Sequence, residues 1–344
     1  MFKPVFTLTP SIVDNLLAVE RVRGFLEALT MREHILKEMQ AEALVRDVHA
    51  STHIEGTQLT LEETRAILEG KEVAGTSRKD IKEVINYRKA LELAAEYHNS
   101  PEAISEDLIK RLHSLITDGF PEARPGQYRK VQNYIISSET NEIIYTPPPY
   151  YEVPYMMKDL VEWLNTQEGL SPVLVAGIAQ FQFVHIHPFV DGNGRTARVL
   201  ATLILYKTGY DFKRLFALSE YYDKDRRRYY KALQLVRRYN MDMTPWLEYF
   251  TEGLRAQLAE VRKRGLEFIR DSVVAERLCG FHLNERQKAC VEYLEAKGHI
   301  TRAEYVNLTG ASLRTANYDL KELEDAGLIK RVGKGRSTRY VLNL

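Results

Sequence analysis

The chain has few cysteines, almost no net charge and no long apolar run. Cys279 and Cys290 are the only thiols in 344 residues, and neither lies in a Cys-x-x-Cys pair. A disulfide framework and a cysteine zinc site are therefore not expected, and a reducing, cytoplasmic setting is favoured. The formal net charge is +1, so no global field draws the chain to nucleic acid or to a membrane. Any such binding needs a local patch.

The hydrophobic segments are too short for a membrane protein. The N-terminal stretch MFKPVFTLTPSIVD lacks the basic start and the apolar run of a signal peptide. The most apolar stretch, residues 173–184, is shorter than a bilayer-spanning helix and carries two glutamines. We therefore expect a buried helix there and no membrane partner. With 44% hydrophobic and 28% charged residues, the composition is that of a soluble globular protein.

Helical periodicity dominates the chain up to residue 278, with one interruption. Apolar positions recur every three or four residues over 11–54 and 77–99, which predicts amphipathic helices. Residues 134–136 and 142–145 are instead rich in β-formers and flank the polar turn 137–141, so they predict a β-hairpin, and three prolines follow it. Helical patterns then resume at 154–165, 172–184 and 195–207 and continue to residue 278.

The C-terminal part has a pattern of its own, after a short linker at 279–283. Three helical segments, 285–297, 302–308 and 312–326, precede two strands at 328–332 and 338–344. Three helices followed by a hairpin predict a winged helix-turn-helix. The fold class that we expect is therefore mostly α, with one hairpin in the middle of the chain and one at its end.

The segment HIHPFVDGNGRTAR, residues 185–198, is the strongest functional signal. Gly192 and Gly194 flank Asn193 where a loop turns into a helix, so backbone N–H groups converge on an anion beside the positive end of the helix. Arg195 and Arg198 are three residues apart and leave the first helical turn on one side. Two guanidinium groups beside such a nest of N–H groups fit two phosphates.

Acid and base groups adjoin this nest. A carboxylate beside a polyphosphate typically holds Mg²⁺, and Asp191 directly precedes the glycines. His187 stands at the entrance of the loop and titrates near neutrality, which suits a general base. His185 lies two residues earlier on the apolar run, and we interpret it as a packed histidine. The combination indicates nucleotidyl or phosphoryl transfer.

The motif HPFxDGNGRxxR resembles the signature of the Fic family. The resemblance implies a helical bundle with a β-hairpin flap, and transfer of AMP from ATP to a serine, threonine or tyrosine hydroxyl of a protein, with ATP and Mg²⁺ as cofactors. By this resemblance His187 deprotonates the target hydroxyl, and Asp191 holds Mg²⁺. The same resemblance assigns nucleotide binding to Gly192, Asn193, Gly194, Arg195, Thr196 and Arg198, with the last on the γ-phosphate. Relatives that phosphorylate carry lysine where this chain has Gly194.

Two further segments resemble parts of the family with less specificity. The hairpin at 134–145 resembles the flap that pairs with an extended target segment, although a surface hairpin without a role is the alternative. Tyr229 and Tyr230 stand where similar proteins contact adenine, but two aromatic residues on a helix also suit a core. Where some relatives carry asparagine seven residues on, this chain has Arg237.

The segment STHIEG, residues 51–56, resembles the family's inhibitory motif. Ser51 and Glu55 are four residues apart and so share one helix face, and Gly56 allows the helix to end there. The resemblance implies that Glu55 pairs with Arg198 and occupies the guanidinium that the γ-phosphate needs. A glutamate on a solvated helix face is the alternative.

The winged helix leaves two kinds of partner open. Its third helix offers Arg314, Thr315 and Asn317 near its start, where a recognition helix meets base edges. The hairpin adds five basic residues without an intervening acid: Lys330, Arg331, Lys334, Arg336 and Arg339. Four acids on the third helix oppose DNA binding: Asp319, Glu322, Glu324 and Asp325. Winged helices also dock proteins.

Together these observations predict three parts: an N-terminal helical regulatory region at 1–100, a Fic catalytic core at 101–278 and a winged helix-turn-helix at 281–344. The predicted activity is that of a protein adenylyltransferase restrained by Glu55. The expected partners are a protein substrate, which includes the chain itself, and DNA through the winged helix. The sequence is also compatible with a homodimer. The alternative is a DNA-binding transcriptional regulator whose Fic core senses nucleotide.

Overall fold

A computed structural model describes residues 2–136, 142–278, 283–333 and 335–343, with the backbone alone at 268–278, 295–296 and 336. The hairpin turn, most of the linker with Cys279, and Lys334 thus lie outside the described residues, as does the side chain of Arg336. The chain forms two compact units, Met1–Arg262 and Lys263–Leu344. The described residues are mostly helical, which confirms the predicted fold class.

The first half of unit one is a succession of capped helices. Thr9 caps the N-terminus of the first helix, and Thr60 and Glu63 form a capping box at the N-terminus of the third. These side chains accept backbone N–H groups that have no partner within the helix. The second helix ends at Ile54 with Glu55 as its C-cap, and Gly56 follows with φ +109°, a conformation that favours glycine. The helices are α1 (Pro10–Ala28), α2 (Glu33–Ile54), α3 (Leu61–Leu68), α4 (Arg78–Glu96) and α5 (Glu106–Ile116).

The second half of this unit surrounds one apolar helix. It comprises the strands β1 (Ile135–Ile136) and β2 (Ile143–Tyr145), then α6 (Val153–Thr166), α7 (Pro172–Ile186), α8 (Asn193–Lys207), α9 (Leu218–Lys224), α10 (Arg226–Arg238) and the part of α11 (Thr244–Leu278) up to Arg262. Helix α7 is buried on nearly every face, as its apolar composition predicts, and α8 packs against it. The indole N–H of Trp246 donates to the carbonyl of Gly177 at 2.7 Å, which joins α11 to α7. The loop between α7 and α8 is therefore anchored at the centre of the unit.

Unit two has the predicted three helices and hairpin. They are α12 (Glu285–Lys297), α13 (Arg302–Thr309), α14 (Leu313–Asp325), β3 (Ile329–Val332) and β4 (Arg339–Leu342). Between α12 and α13, Ile300 forms a single β-bridge with Tyr340. The core consists of side chains from all five elements, among them Leu294, Leu320 and Ile329. None of the helices in the described ranges of either unit is long and apolar enough to cross a bilayer.

Candidate active site

The motif forms a tightly held loop between α7 and α8. His187 ends α7 in the left-handed region at φ +51°, and Gly192 precedes α8 at φ +74°, so the chain reverses twice within six residues. The side chain of Asn193 bridges back to Phe189: its Oδ1 accepts the Phe189 N–H at 2.9 Å and its Nδ2 donates to the Phe189 carbonyl at 2.9 Å. The asparagine thus fixes the loop with its side chain, and only its backbone is available for an anion.

Two residues that the sequence did not single out support this loop. His113 on α5 accepts the Gly126 N–H at Nδ1 and bonds the Asp191 carbonyl through Nε2, both at 2.9 Å, and its ring stacks on Phe189. Burial lowers the pKa of His113 to about 4, so the ring is neutral and donates through Nε2. The buried Arg129 donates through Nε to the carbonyl of His187 at 2.8 Å. Neither residue has a sequence signal, because the contacts of His113 with Asp191 and of Arg129 with His187 each span more than fifty residues.

His187 has the protonation state of a base. Burial lowers the pKa of its imidazole to about 4, with the backbone of Val184 acting in the opposite direction. The side chain is therefore neutral at physiological pH and free to accept a proton. His185 also has its pKa lowered to about 4 by burial, but its ring bonds the hydroxyl of Tyr145 at 2.7 Å beneath the flap. The prediction of a packed histidine at 185 is in keeping with this contact.

Glu55 forms an ion pair with the buried Arg198. Nη2 of Arg198 lies 2.8 Å from Oε1 of Glu55, while its Nε donates to the hydroxyl of Ser51 at 2.8 Å and its Nη2 also donates to the Ser51 carbonyl at 3.0 Å. Burial alone would lower the pKa of Arg198, but Glu55, with Tyr229 and Tyr87, outweighs it and raises the pKa. Nε and Nη2 of the guanidinium are thus held by the two motif residues at the C-terminal end of α2.

The carboxylate of Glu55 also covers the start of α8. A Cβ atom added at Gly194 would lie 2.3 Å from Oε1 of Glu55, closer than any real contact. The space in front of the backbone nest is therefore filled by the same carboxylate that holds Arg198. Any larger residue at 194 would have to displace it.

Arg195 and Thr196 take positions that the motif does not reveal. Nη1 of Arg195 lies 3.1 Å from Oε1 of Glu83 on α4, so this arginine and Arg198 are held by different acids. Thr196 donates both its N–H and its hydroxyl to the Gly192 carbonyl, at 2.9 and 2.8 Å. Its side chain therefore supports the nest from within the helix and does not face the cavity.

Asp191 has a largely exposed carboxylate directly before the nest. Its carboxylate is about two-thirds exposed (67%), accepts the Gly192 N–H at 2.6 Å and lies 3.9 Å from Nη2 of Arg195. Within the described ranges, no group of three or more His, Cys, Asp or Glu side chains is arranged around a metal position. Mg²⁺ is usually held by one or two carboxylates together with substrate phosphates, and Asp191 fits this requirement.

A cavity of about 720 Å³ is lined by Glu55, His187, Gly194 and Arg198. It runs from Glu55 and Arg198 past His187 to the flap and α10. Of the two tyrosines that the sequence left open, Tyr229 is buried and stacks on Tyr222 at 4.7 Å, whereas Tyr230 is 43% exposed. Tyr229 is thus mainly a core residue at the cavity wall, and Tyr230 is the one that presents its ring.

The flap is short and exposed. Ile135 pairs with Tyr145 and Ile136 with Ile143, with an irregularity between the two pairs. Ile136, Ile143 and Ile144 are all close to half exposed. The described strands therefore keep apolar side chains and a backbone edge available beside the cavity, as strand addition requires.

Helix α2 is tied to α9 by three polar links. Asp47 accepts the Ser219 N–H at 2.9 Å, and Arg46 lies 3.3 Å from Glu220. His53 bonds Asp223 at 2.8 Å. These links place the C-terminal turn of α2, and with it Glu55, against the mouth of the cavity.

Comparisons with known proteins agree with this geometry. The Fic/DOC family model matches residues 103–205 and the Fic/DOC family N-terminal model matches 17–96, while a model described as "Transcriptional regulator DIP2311-like, C-terminal domain" matches 282–343. Relatives named "Protein adenylyltransferase Fic" include one from Drosophila grimshawi, 30% identical over 204 residues, which covers 57% of this chain and 40% of that protein. The relative from Drosophila melanogaster is 31% identical over 200 residues, covering 56% and 38%. The chain thus spans about two fifths of the length of these curated relatives.

Solved structures give the same result. A Fic family protein from Desulfovibrio desulfuricans G20 superposes with a TM-score of 0.67 at 25% identity, over 99% of this chain and 98% of that one. Fic-1 from C. elegans has a TM-score of 0.63 at 28% identity and covers 76% and 73%.

Proposed function

This chain belongs to the Fic/DOC family, and we propose that it is a protein adenylyltransferase. It transfers AMP from ATP to a serine, threonine or tyrosine hydroxyl of a protein, and one such protein is the chain itself. The observation that carries the proposal is the loop at 187–198, which presents a neutral imidazole, a backbone nest and Arg198 to one cavity. These are the base and the phosphate cradle that nucleotidyl transfer needs.

Each residue of the loop has a separate role in the proposed reaction. The triphosphate lies over the N–H groups at the start of α8, and Arg198 takes the γ-phosphate once Glu55 has left it. His187 accepts the proton of the target hydroxyl while the oxygen bonds to the α-phosphorus; the bond from that phosphorus to the bridging oxygen breaks, and pyrophosphate leaves. Asp191 would hold Mg²⁺, which offsets the charge on the phosphates. The flap places the target segment, so that its hydroxyl approaches in line.

The same geometry makes the chain self-inhibited. Glu55 occupies Arg198 and the space before Gly194, so a γ-phosphate and this carboxylate compete for one position. A triphosphate that binds beside the carboxylate has its α-phosphate displaced from the line of attack.

The position of the isotope in the product tests the reaction. Purified protein is incubated with Mg²⁺ and ATP labelled at the α-phosphate, and separately with ATP labelled at the γ-phosphate. We expect the protein to retain the α-label through a denaturing gel and to take up none of the γ-label. Retention of the γ-label would identify a kinase and overturn the proposal.

The pH dependence follows from His187. Because burial lowers the pKa of its imidazole to about 4, the base form predominates down to that pH and is lost only as the pH falls through it. For the Glu55→Gly variant we therefore expect a transfer rate that does not change between about pH 5.5 and 8. With an ordinary histidine as the base, the rate would fall on acidification with a midpoint of about pH 6.5. Initial rates across this range provide the check. A rate that falls with a midpoint near neutrality would contradict the assignment.

We also keep the three-part division of the chain as a proposal: regulatory residues 1–100, a catalytic core at 101–278 and a winged helix at 281–344. Helices α2 and α4 support the first boundary, since they supply Glu55 and Glu83 to the loop of the core. In this division the catalytic core depends on the preceding region for its restraint.

A second function, DNA binding by the winged helix, has its own support. On α14 the side chains of Arg314, Asn317 and Lys321 are exposed, and so are Lys330 and Arg339 on the hairpin. One of the four acids that we expected to oppose DNA is withdrawn from the surface. Asp319 is buried, with Arg286 and Tyr305 bonded to it, whereas Glu322 is exposed and accepts from Gln287 at 2.8 Å.

Gel retardation of random duplex DNA at several salt concentrations tests this function. Each lysine or arginine on a phosphate adds about one unit to the slope of log affinity against log salt. We expect Lys330→Ala to reduce the slope by about one, whereas Lys71→Ala, an exposed loop residue of the other unit, leaves it unchanged. Absence of retardation at about 50 mM salt would assign the winged helix to protein docking.

A further inference from the structure

A second cavity, of about 520 Å³, lies between α2, α4 and α8, apart from the active-site cavity. Arg214 and Phe216, from the segment that follows α8, complete its walls. None of its described lining residues belongs to the active-site cavity. On α8, Arg198 lines the active-site cavity, whereas Thr202, about one turn later, lines the second one. The proposed reaction gives this space no role.

The walls of the second cavity are mostly apolar. Ala43 on α2 and Ala95 on α4 leave the space open because their side chains are small, and the buried Phe216 adds an aromatic surface. The amide of Gln40 is engaged elsewhere, since its Nε2 donates to the carbonyl of Lys213 at 2.9 Å. A volume of this size, with apolar walls and a few polar groups, is typical of sites for small organic molecules. The polar groups then decide which ligand fits.

Asp47 on α2 brings a carboxylate to this lining and is itself only 8% exposed. Its Oδ1 accepts the Ser219 N–H at 2.9 Å. Burial raises the pKa of the Asp47 carboxyl, and the hydrogen bond from Ser219 offsets this only in part. Arg198, whose charge also acts on Asp47, is paired with Glu55, and no other ion pair within the described ranges includes Asp47. The buried carboxylate therefore lacks a counter-ion of its own.

The other charged groups of the lining add to its negative balance. Glu92 and Glu96 on α4 are both exposed, and Glu92 lies 3.3 Å from Arg88. Arg214 is the one basic residue among the described lining residues, and it is exposed, so solvent screens its charge. A buried carboxylate is costly unless it is paired and hydrogen-bonded, and an ammonium group supplies both the charge and the donors. The cavity thus favours a cation at Asp47.

We propose that this cavity binds a small organic cation, in which an ammonium group is carried on an apolar or aromatic body. The ammonium N–H groups donate to the carboxylate of Asp47, and the body packs against Phe216 and the small side chains of α2 and α4. Glu55 follows the last residue of α2, about two turns beyond Asp47, so the ligand contacts the helix that leads to the inhibitory carboxylate. The site does not depend on the proposed transfer reaction.

Calorimetry on the full chain with two matched probes tests the site. Tryptamine is an ammonium cation at neutral pH, whereas tryptophol has the same indole and chain with an uncharged hydroxyl. We expect tryptamine to bind the parent protein with a Kd below about 1 mM, and to bind more tightly than tryptophol.

The variant Asp47→Asn removes the charge and keeps an oxygen for the Ser219 N–H. Because hydrogen bonds to charged groups contribute more than those between neutral groups, the ratio of the affinities for tryptamine and tryptophol should fall by roughly tenfold or more. Asp14→Asn makes the same change at an exposed position of α1 and should leave the ratio unchanged. Since each ratio is measured within one protein, a general loss of stability affects both probes alike.

A second variant tests the place of binding. Ala95→Phe fills the cavity from α4 while Asp47 stays, so it should remove the binding of tryptamine. Absence of tryptamine binding to the parent, equal affinities for the two probes, or an unchanged ratio in Asp47→Asn would overturn the proposal. Binding that survives Ala95→Phe would place the amine elsewhere and overturn it as well. Because no nucleotide is present, a failure of the proposed transfer reaction would not alter these results.

Discussion

Replacing Glu55 with glycine raises the rate of AMP transfer by roughly tenfold or more in our account. The substitution removes the carboxylate that lies 2.8 Å from Nη2 of Arg198 and covers Gly194. Hydrogen bonds to charged groups contribute about 1.5–3 kcal/mol each, and a γ-phosphate gains such bonds only when Arg198 is released. Initial rates with α-labelled ATP and the chain itself as acceptor provide the measurement.

The matched control is Glu72→Gly, the same substitution at an exposed loop residue in the same part of the chain. It should leave the rate at the wild-type value. Glu55→Gln adds a second comparison, because it keeps the side-chain length and removes the charge that competes with a phosphate. If Glu55→Gly transfers AMP no faster than the wild type, the ion pair with Arg198 is structural and the restraint lies elsewhere.

Replacing His187 with alanine abolishes transfer in the Glu55→Gly background. The neutral imidazole is the group that the loop presents to the cavity as a proton acceptor. A positioned general base contributes about 10²- to 10⁴-fold, so a loss of at least roughly a hundredfold is expected. The assay is the same measurement of initial rates.

Nucleotide affinity separates a chemical role of His187 from a structural one. The loop is fixed by Asn193, His113 and the backbone contact to Arg129, none of which uses the His187 side chain. ATP binding should therefore persist in His187→Ala. The exposed His34, replaced by alanine, serves as the control and should keep its full rate. Transfer by His187→Ala at a rate near that of its parent would refute the assignment of the base.

The sequence predicted those features that depend on local patterns. Periodicity located the helices of both units, and β-formers around a polar segment located the flap, although the strands are only Ile135–Ile136 and Ile143–Tyr145. The loop-to-helix transition at Gly192 was also predictable, since glycines before a helical pattern indicate a backbone nest. Such features depend on residues that are close in the chain.

Long-range contacts could not be read from these patterns. Glu55 and Arg198 are 143 residues apart, and resemblance to a family suggested their pairing before any distance was known. His113 and Arg129 support the loop from remote positions and have no motif of their own. The motif gives no reason to distinguish Arg195 from Arg198, but in the structure Arg195 pairs with Glu83 and Arg198 pairs with Glu55.

Side-chain burial was equally inaccessible from the sequence. Tyr229 and Tyr230 are adjacent, yet one stacks in the core and the other faces the cavity, because α10 turns by about 100° per residue. Asp319 appears in the sequence as one of four acids on the third helix of the C-terminal unit, but it is buried and bonded to Arg286. In each case the direction of the helix face relative to its neighbours decides the role.

The crystal structure of the Glu55→Gly variant with ATP and Mg²⁺ tests the central claim most directly. Our account predicts γ-phosphate oxygens within hydrogen-bond distance of Arg198, with the α-phosphorus facing His187 across the cavity. A nucleotide bound away from Arg198, or an Arg198 held by other side chains of the chain in place of Glu55, would contradict it.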